Sequence, residues 1–166
     1  LRGDTGIGLQ RYVLGVMLSY ITVEANRLLR LVHGGRYQLY RMDETAGTAH
    51  KKGLELGVYD SRTNERRSVN TLSGGERFLA SLCLAIGLTT VVQAQGSHRL
   101  GAMFIDEGFG TLDEESIRDA LEVLQHVQQN QGLVVLISHH ERLKETILNR
   151  LEVRAGKTGS RVLILS

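Results

Sequence analysis

The chain has 166 residues, 42% of them hydrophobic and 23% charged, with no Pro, no Trp and a single Cys. That length suits one domain with a sizeable core, and the lack of proline excludes a Pro-rich linker or recognition tail. Cys83 has no partner for an intrachain disulfide, so an oxidised secreted scaffold is excluded and a reducing, cytoplasmic setting is expected. Net charge is +2, with residues 1–70 carrying 11 Lys+Arg against 7 Asp+Glu and residues 71–166 carrying 9 against 11. The mildly basic front half suits contact with an acidic polymer, and equally an ordinary solvated surface. Near the start, the uncharged residues 12–23 fall short of the ~20 needed to span a bilayer. No basic-then-apolar leader precedes them, so no membrane association is expected.

Apolar residues recur at helical spacing over residues 9–33, through Leu9, Val13, Val16, Met17, Tyr20, Leu28 and Leu31, and Gly34-Gly35 ends the pattern. Residues 37–41 and 54–59 read as two strands, joined as a long hairpin by the polar residues 43–53. Residues 60–70 are charged and nearly free of apolar side chains, which predicts a surface loop. Residues 76–87 predict a helix with Leu79, Leu82, Cys83 and Ile86 on one face. Residues 100–105 are almost all apolar, as in a strand buried on both faces. A helix over 114–130 and a second buried strand over 133–137 complete a parallel crossover. A short helix over 141–149 and a hairpin from strands 151–155 and 161–165 close an α/β chain.

Three places carry chemistry. Ser73-Gly74-Gly75-Glu76 heads a helix, and Ser73 with Glu76 forms a capping box. The two glycines also leave helix-start N–H groups and a hydroxyl open to an anion such as phosphate, and both readings are compatible. Asp106 and Glu107 end an apolar strand, where α/β sheets place ligands. One carboxylate there suits a hard cation and the other a base acting on a neighbouring water. His139, one strand further on, falls at the same carboxyl edge.

In this order the pieces resemble the C-terminal lobe of an ABC-type ATPase. Leu72-Ser73-Gly74-Gly75-Glu76 looks like the signature motif, and Met103-Phe104-Ile105-Asp106-Glu107 looks like Walker B. Gly110-Thr111-Leu112-Asp113 looks like the D-loop and His139 like the switch histidine. ABC transporters place Pro after the Walker B glutamate, whereas this chain has Gly108-Phe109-Gly110. That run is similar to the bacterial SbcC family, SMC-like ATPases of a DNA-end-processing nuclease complex. The helix through Tyr12 into Gly34-Gly35-Arg36-Tyr37 resembles the exit from the SbcC coiled coil. The likeness covers most of the chain and is weakest over residues 43–70.

The resemblance implies lobe II of an ABC-type P-loop ATPase head: a parallel sheet core with flanking helices, an N-terminal helix and strand hairpin, and a C-terminal hairpin. Residues 1–35 would lead from the coiled coil, 36–70 form the hairpin and loop, and 71–166 carry the motifs. A phosphate loop, G-x-x-x-x-G-K-[ST], is missing from the sequence. Gly156-Lys157-Thr158 resembles its tail, but Leu151 stands where the first glycine belongs, and the segment reads as a hairpin turn. The phosphate loop is therefore expected on an N-terminal lobe, without which this piece is inactive.

The family arrangement implies ATP and Mg²⁺ held between two heads. Asp106 would orient the metal, Glu107 polarise the attacking water and His139 contact the γ-phosphate. Ser73, Gly74, Gly75 and Glu76 would meet the nucleotide of the opposite protomer, and Asp113 would couple the two sites. Implied partners are the N-terminal lobe, a second protomer, an SbcD-like nuclease and DNA. Lys51-Lys52 and Arg66-Arg67 are candidate phosphate contacts, or solvated loop charges, and Arg77 after the signature is a candidate switch residue. The alternatives are another SMC-like chromosome or repair ATPase and an ABC transporter ATPase; Gly108 and the lack of a helical subdomain before the signature argue against the transporter.

Overall fold

A computed structural model describes residues 9–42, 54–96, 101–106, 108–110, 112–157 and 159–165. Helix α1 (Leu9–Leu29) buries Thr22, Ala25, Asn26, Leu28 and Leu29, while Tyr12, Tyr20 and Val23 stay exposed. Periodicity carries this helix to residue 33, but the structure ends it at Leu29 and follows it with a 3₁₀ turn, His33–Gly35. Positive φ at His33 (49°), Gly34 (62°) and Gly35 (70°) marks the break. Consecutive left-handed residues cannot continue a right-handed helix.

Strands β1 (Tyr37–Arg41), β2 (Leu56–Asp60) and β3 (Glu65–Ser68) form an antiparallel sheet in that order. The strand β3 corrects the expected surface loop over 60–70. Alternation is absent there because cations, not apolar groups, make its contacts. Arg67 reaches the carboxylate of Asp60 at 3.4 Å, and the Arg66 guanidinium lies 5.2 Å from the Tyr40 ring centroid. The β1–β2 connection expected over residues 43–53 lies outside the described residues. On the outer edge of β1, buried Asn26 of α1 donates to Leu39 O and accepts from Leu39 N, both at 2.8 Å. The side-chain amide thus satisfies the main-chain pair that β2 does not reach.

Helix α2 (Gly74–Gln95) runs eight residues beyond the expected stop at Gly87. Gly87 is a contact rather than a terminator. A Cβ there would stand 2.7 Å from Ile21 O and 3.0 Å from Ala25 N, so its absence lets α1 and α2 approach closely. The helix is long and apolar enough to pass for a membrane span, with mean hydropathy 1.6. Leu79, Leu82, Cys83 and Ile86 are nevertheless buried against neighbouring elements, as in a core helix.

Strand β4 (Ala102–Asp106) pairs in parallel with β5 (Leu133–Ile137), and α3 (Glu114–Gln131) connects them. The expected parallel crossover is present, but the strands are not buried on both faces. Phe104 is 69% exposed and Leu133 58%, whereas Met103, Ile105, Val134 and Leu136 pack against the core. One face of this two-stranded parallel sheet is therefore covered and the other open. Helix α4 (Glu141–Thr146) is shorter than expected, and β6 (Arg150–Gly156) and β7 (Gly159–Leu165) form the closing antiparallel hairpin. Among the described residues, one hydrophobic cluster joins α1, β1, β2, α2, Phe109, α3 and Leu143 of α4.

Candidate functional site

At the start of α2, Ser73 adopts extended backbone and its Oγ accepts from the Glu76 N–H at 3.2 Å. The Glu76 Oε2 accepts from the Ser73 N–H at 2.9 Å, completing the capping box that the sequence predicts. Ser73 and Gly74 are exposed, and a Cβ on Gly74 would meet nothing within 4 Å. Gly75 differs sharply. A Cβ there would fall 2.0 Å from Ser116 Oγ and 2.9 Å from Ser116 Cβ, so this glycine is demanded by packing.

Ser116 is in the first turn of α3, whose N-cap is Asp113; the Asp113 Oδ1 accepts from the Ser116 N–H at 2.8 Å. The bonds from Ser116 lower the Asp113 carboxyl below its ordinary range. Through Gly75 and Ser116 the N-terminal ends of α2 and α3 abut, bringing two partial positive charges together.

Asp106 is the exposed last residue of β4 and pairs with Ile137. Glu107, the expected catalytic base, lies outside the described residues, as do Thr111 and the Lys51-Lys52 pair. Directly after it, Gly108 has φ 119°, and a Cβ there would stand 2.8 Å from Phe78 Cε2. Phe78 of α2 also packs edge-on against fully buried Phe109, centroids 5.1 Å apart. The following glycine, Gly110, lies under His139, whose Cε1 would be 3.8 Å from a Cβ at that position. Contacts thus run from the signature-like helix to the loop after β4, and from that loop to the residues after β5. Gly75 thus adjoins Ser116 of the Asp113-capped helix, and His139 adjoins Gly110.

A partly buried polar chain that the sequence reading missed backs the start of α2. The Tyr37 hydroxyl donates to Glu76 Oε1. The Arg36 guanidinium lies 4.6 Å from the Tyr37 ring centroid and donates from Nε and Nη2 to Asp60 at 2.9 and 2.6 Å. Burial and the Glu76 carboxylate push the Tyr37 hydroxyl up to about 12. Burial alone would raise Glu76, but the Tyr37 hydroxyl, the Ser73 N–H and the charge of Arg36 outweigh it and lower the group. Arg36 holds Asp60 down to about 2. The only sequence signal was Arg36-Tyr37 beside a glycine pair, because their partners lie 24 and 39 residues away.

Of the other cations, Arg67 is committed to Asp60 and Thr71. Arg77 Nη2 donates to Asn70 O and Leu72 O, both at 3.2 Å, bracing the turn ahead of Ser73. At the exit of α1, His33 Nδ1 lies 3.2 Å from Asp119 Oδ2, and Glu115 brings a third donor within 4.8 Å. Burial raises the Asp119 carboxyl, and this contact ties the 3₁₀ turn to α3.

The exposed start of α2 offers N–H groups and a hydroxyl, which suit phosphate oxygen, and Asp106 offers oxygen, which suits Mg²⁺. These donor types fit the nucleotide and metal implied by the motifs.

A family model described as SbcC/RAD50-like, Walker B motif, matches residues 37–126. The chain is 45% identical over 167 residues to the SbcC component of the SbcCD nuclease of Vibrio cholerae, covering 99% of this chain and 16% of that protein. It is 42% identical to the protein of the same name from Staphylococcus epidermidis, covering 94% and 15%. The chain thus spans about a sixth of the length of these relatives. A solved structure described under ATP-driven dimerization and DNA-stimulated activation of SMC ATPases superposes with TM-score 0.71 at 14% identity, covering 94% of this chain and 89% of that one. The SMC head domain from Thermotoga maritima gives 0.65 at 16% identity, covering 95% and 51%. These likenesses establish an SMC-type head fold.

Proposed function

The chain belongs to the SbcC/RAD50-like Walker B family, and from that premise we propose that it is the C-terminal lobe of an ATPase head that controls DNA-end processing by an SbcD-like nuclease in the cytoplasm. The observation that carries this reading is the contact path through the motifs. Gly75 abuts Ser116, Phe78 seats on Gly108, and His139 lies over Gly110.

Bound ATP and Mg²⁺ supply the phosphoanhydride to be cleaved and the charge that offsets the triphosphate. Asp106 presents a carboxylate oxygen to the metal, directly or through water. Glu107 accepts a proton from the attacking water. His139 donates to a phosphate oxygen from the sheet edge. The start of α2 presents the Ser73 hydroxyl and the Gly74 and Gly75 N–H groups to the nucleotide of a second head. Asp113, capping α3 beside that helix start, couples one site to the other.

The phosphate loop comes from an N-terminal lobe, which the open face of the β4–β5 sheet is suited to meet. Phe104, Leu133 and Ile137 expose apolar surface there, as expected where a further layer packs on the sheet. In the head assembled from both lobes, Glu107→Gln should retain ATP-dependent association and lower turnover by about 10²–10⁴-fold, the usual contribution of a general base. Steady-state phosphate release measures this, and undiminished turnover by the variant removes Glu107 from its role.

A further inference from the structure

The start of α2 poses an electrostatic problem. A helix N-terminus that receives phosphate carries its own ionised carboxylate in the first turn, Glu76, and like charges repel. The structure answers it from β1. Both oxygens of Glu76 are engaged, Oε2 by the Ser73 N–H at 2.9 Å and Oε1 by the Tyr37 hydroxyl. Behind the phenol lies the Arg36 guanidinium, 4.6 Å from the ring centroid and fixed by two bonds to Asp60. Tyr37 is only 6% exposed, so packing holds its ring beside Glu76.

We infer that Tyr37 is a positioning residue for the nucleotide-receiving end of α2. Its hydroxyl keeps the Glu76 carboxylate engaged on the β1 side, so that the Ser73 hydroxyl and the helix-start N–H groups, rather than a free carboxylate, meet the triphosphate. Arg36 supports it by placing positive charge behind the pair, and Asp60 holds Arg36 in place. This inference rests on the function proposed above and extends it. The sheet that follows the α1 exit sets the charge presented by the signature-like helix.

The route also has mechanical content. Tyr37 begins β1 two residues after the 3₁₀ turn that ends α1's path, and β1 is clamped to α1 by Asn26. Helix α1 and Glu76 are therefore joined through this one strand and the Tyr37 hydroxyl.

The test uses the complete head assembled from both lobes, with a non-hydrolysable ATP analogue, and reads the monomer–dimer constant by sedimentation. Tyr37→Phe keeps the buried ring and removes the hydroxyl. It should weaken association about tenfold, the scale of one like-charge repulsion near a protein surface, while analogue binding to the monomer is unchanged. Raising the salt should shrink the defect, since screening relieves repulsion. The double variant Tyr37→Phe/Glu76→Gln should recover most of the loss because a neutral amide repels no phosphate. Unchanged association in Tyr37→Phe, or a defect that neither salt nor Glu76→Gln relieves, overturns the inference while the functional reading stands. Wild-type heads that fail to associate with the analogue overturn both.

Discussion

Substituting Gly75 by alanine separates two reasons for a glycine at the start of α2. A glycine required only by an incoming anion would tolerate alanine within the isolated head, and helix propensity would then favour alanine by up to ~1 kcal/mol. The geometry predicts the opposite. The new Cβ would stand 2.0 Å from Ser116 Oγ and 2.9 Å from Ser116 Cβ. Rotating the Ser116 hydroxyl away relieves the first contact. The second involves an atom fixed to the α3 backbone, so the two helix starts must separate. Overpacking of this kind costs about 1–3 kcal/mol, leaving a net destabilisation of up to about 2 kcal/mol after the full propensity gain. For a protein of this size, that lowers the thermal midpoint by up to about 8 °C. Circular-dichroism melts of the nucleotide-free head measure it. Ser116→Ala should restore little in the Gly75→Ala background because it keeps the Cβ, whereas Ser116→Gly should restore more. A melting point at or above wild type for Gly75→Ala refutes the packing argument and leaves anion access as the reason for the glycine.

Two other consequences are open to measurement. Gly108 holds φ 119° against Phe78, so Gly108→Ala should cost about 1–3 kcal/mol in urea unfolding. Gly108→Pro should cost more, because proline locks φ near −65°; equal stability of the alanine variant removes the strain argument. The Asp60 carboxyl sits at about 2 in the folded protein, held there first by its bonds from Arg36, against an ordinary 3.8. A lowered folded-state value stabilises above the ordinary one, so this contribution is intact above about pH 4 and lost as pH falls towards 2. Melts across that window should show wild type losing more stability than Asp60→Asn, whose midpoint starts lower. Parallel curves would remove Asp60 from the acid transition.

Exposed apolar residues gather on two of the sheets. Phe104, Leu133 and Ile137 leave one face of the parallel pair open, and Leu151, Val153, Val162 and Ile164 are exposed on the β6–β7 hairpin. Such a surface is costly for an isolated domain and natural for half of a larger one.

Sequence alone determined the order of elements in the second half and the candidate positions, because capping boxes, apolar strand runs and motif spacing are local properties. The capping box at Ser73 could be read from neighbouring residues, and the parallel pairing of β4 with β5 from the strand–helix–strand order. Tertiary structure decided what each glycine is for. Gly87 looked like a helix end and is a crossing point with α1; Gly75 looked like an anion cradle and also spaces two helices. It decided that β3 is a strand, since its stabilising partners, Asp60 and Tyr40, are reached by long cationic side chains rather than by alternation. It alone assembled Asp60, Arg36, Tyr37, Glu76 and Ser73 into one chain. Hydrogen bonds across 24 and 39 residues leave no periodic trace, because they depend on where the backbone brings the groups and not on what lies beside them in the chain.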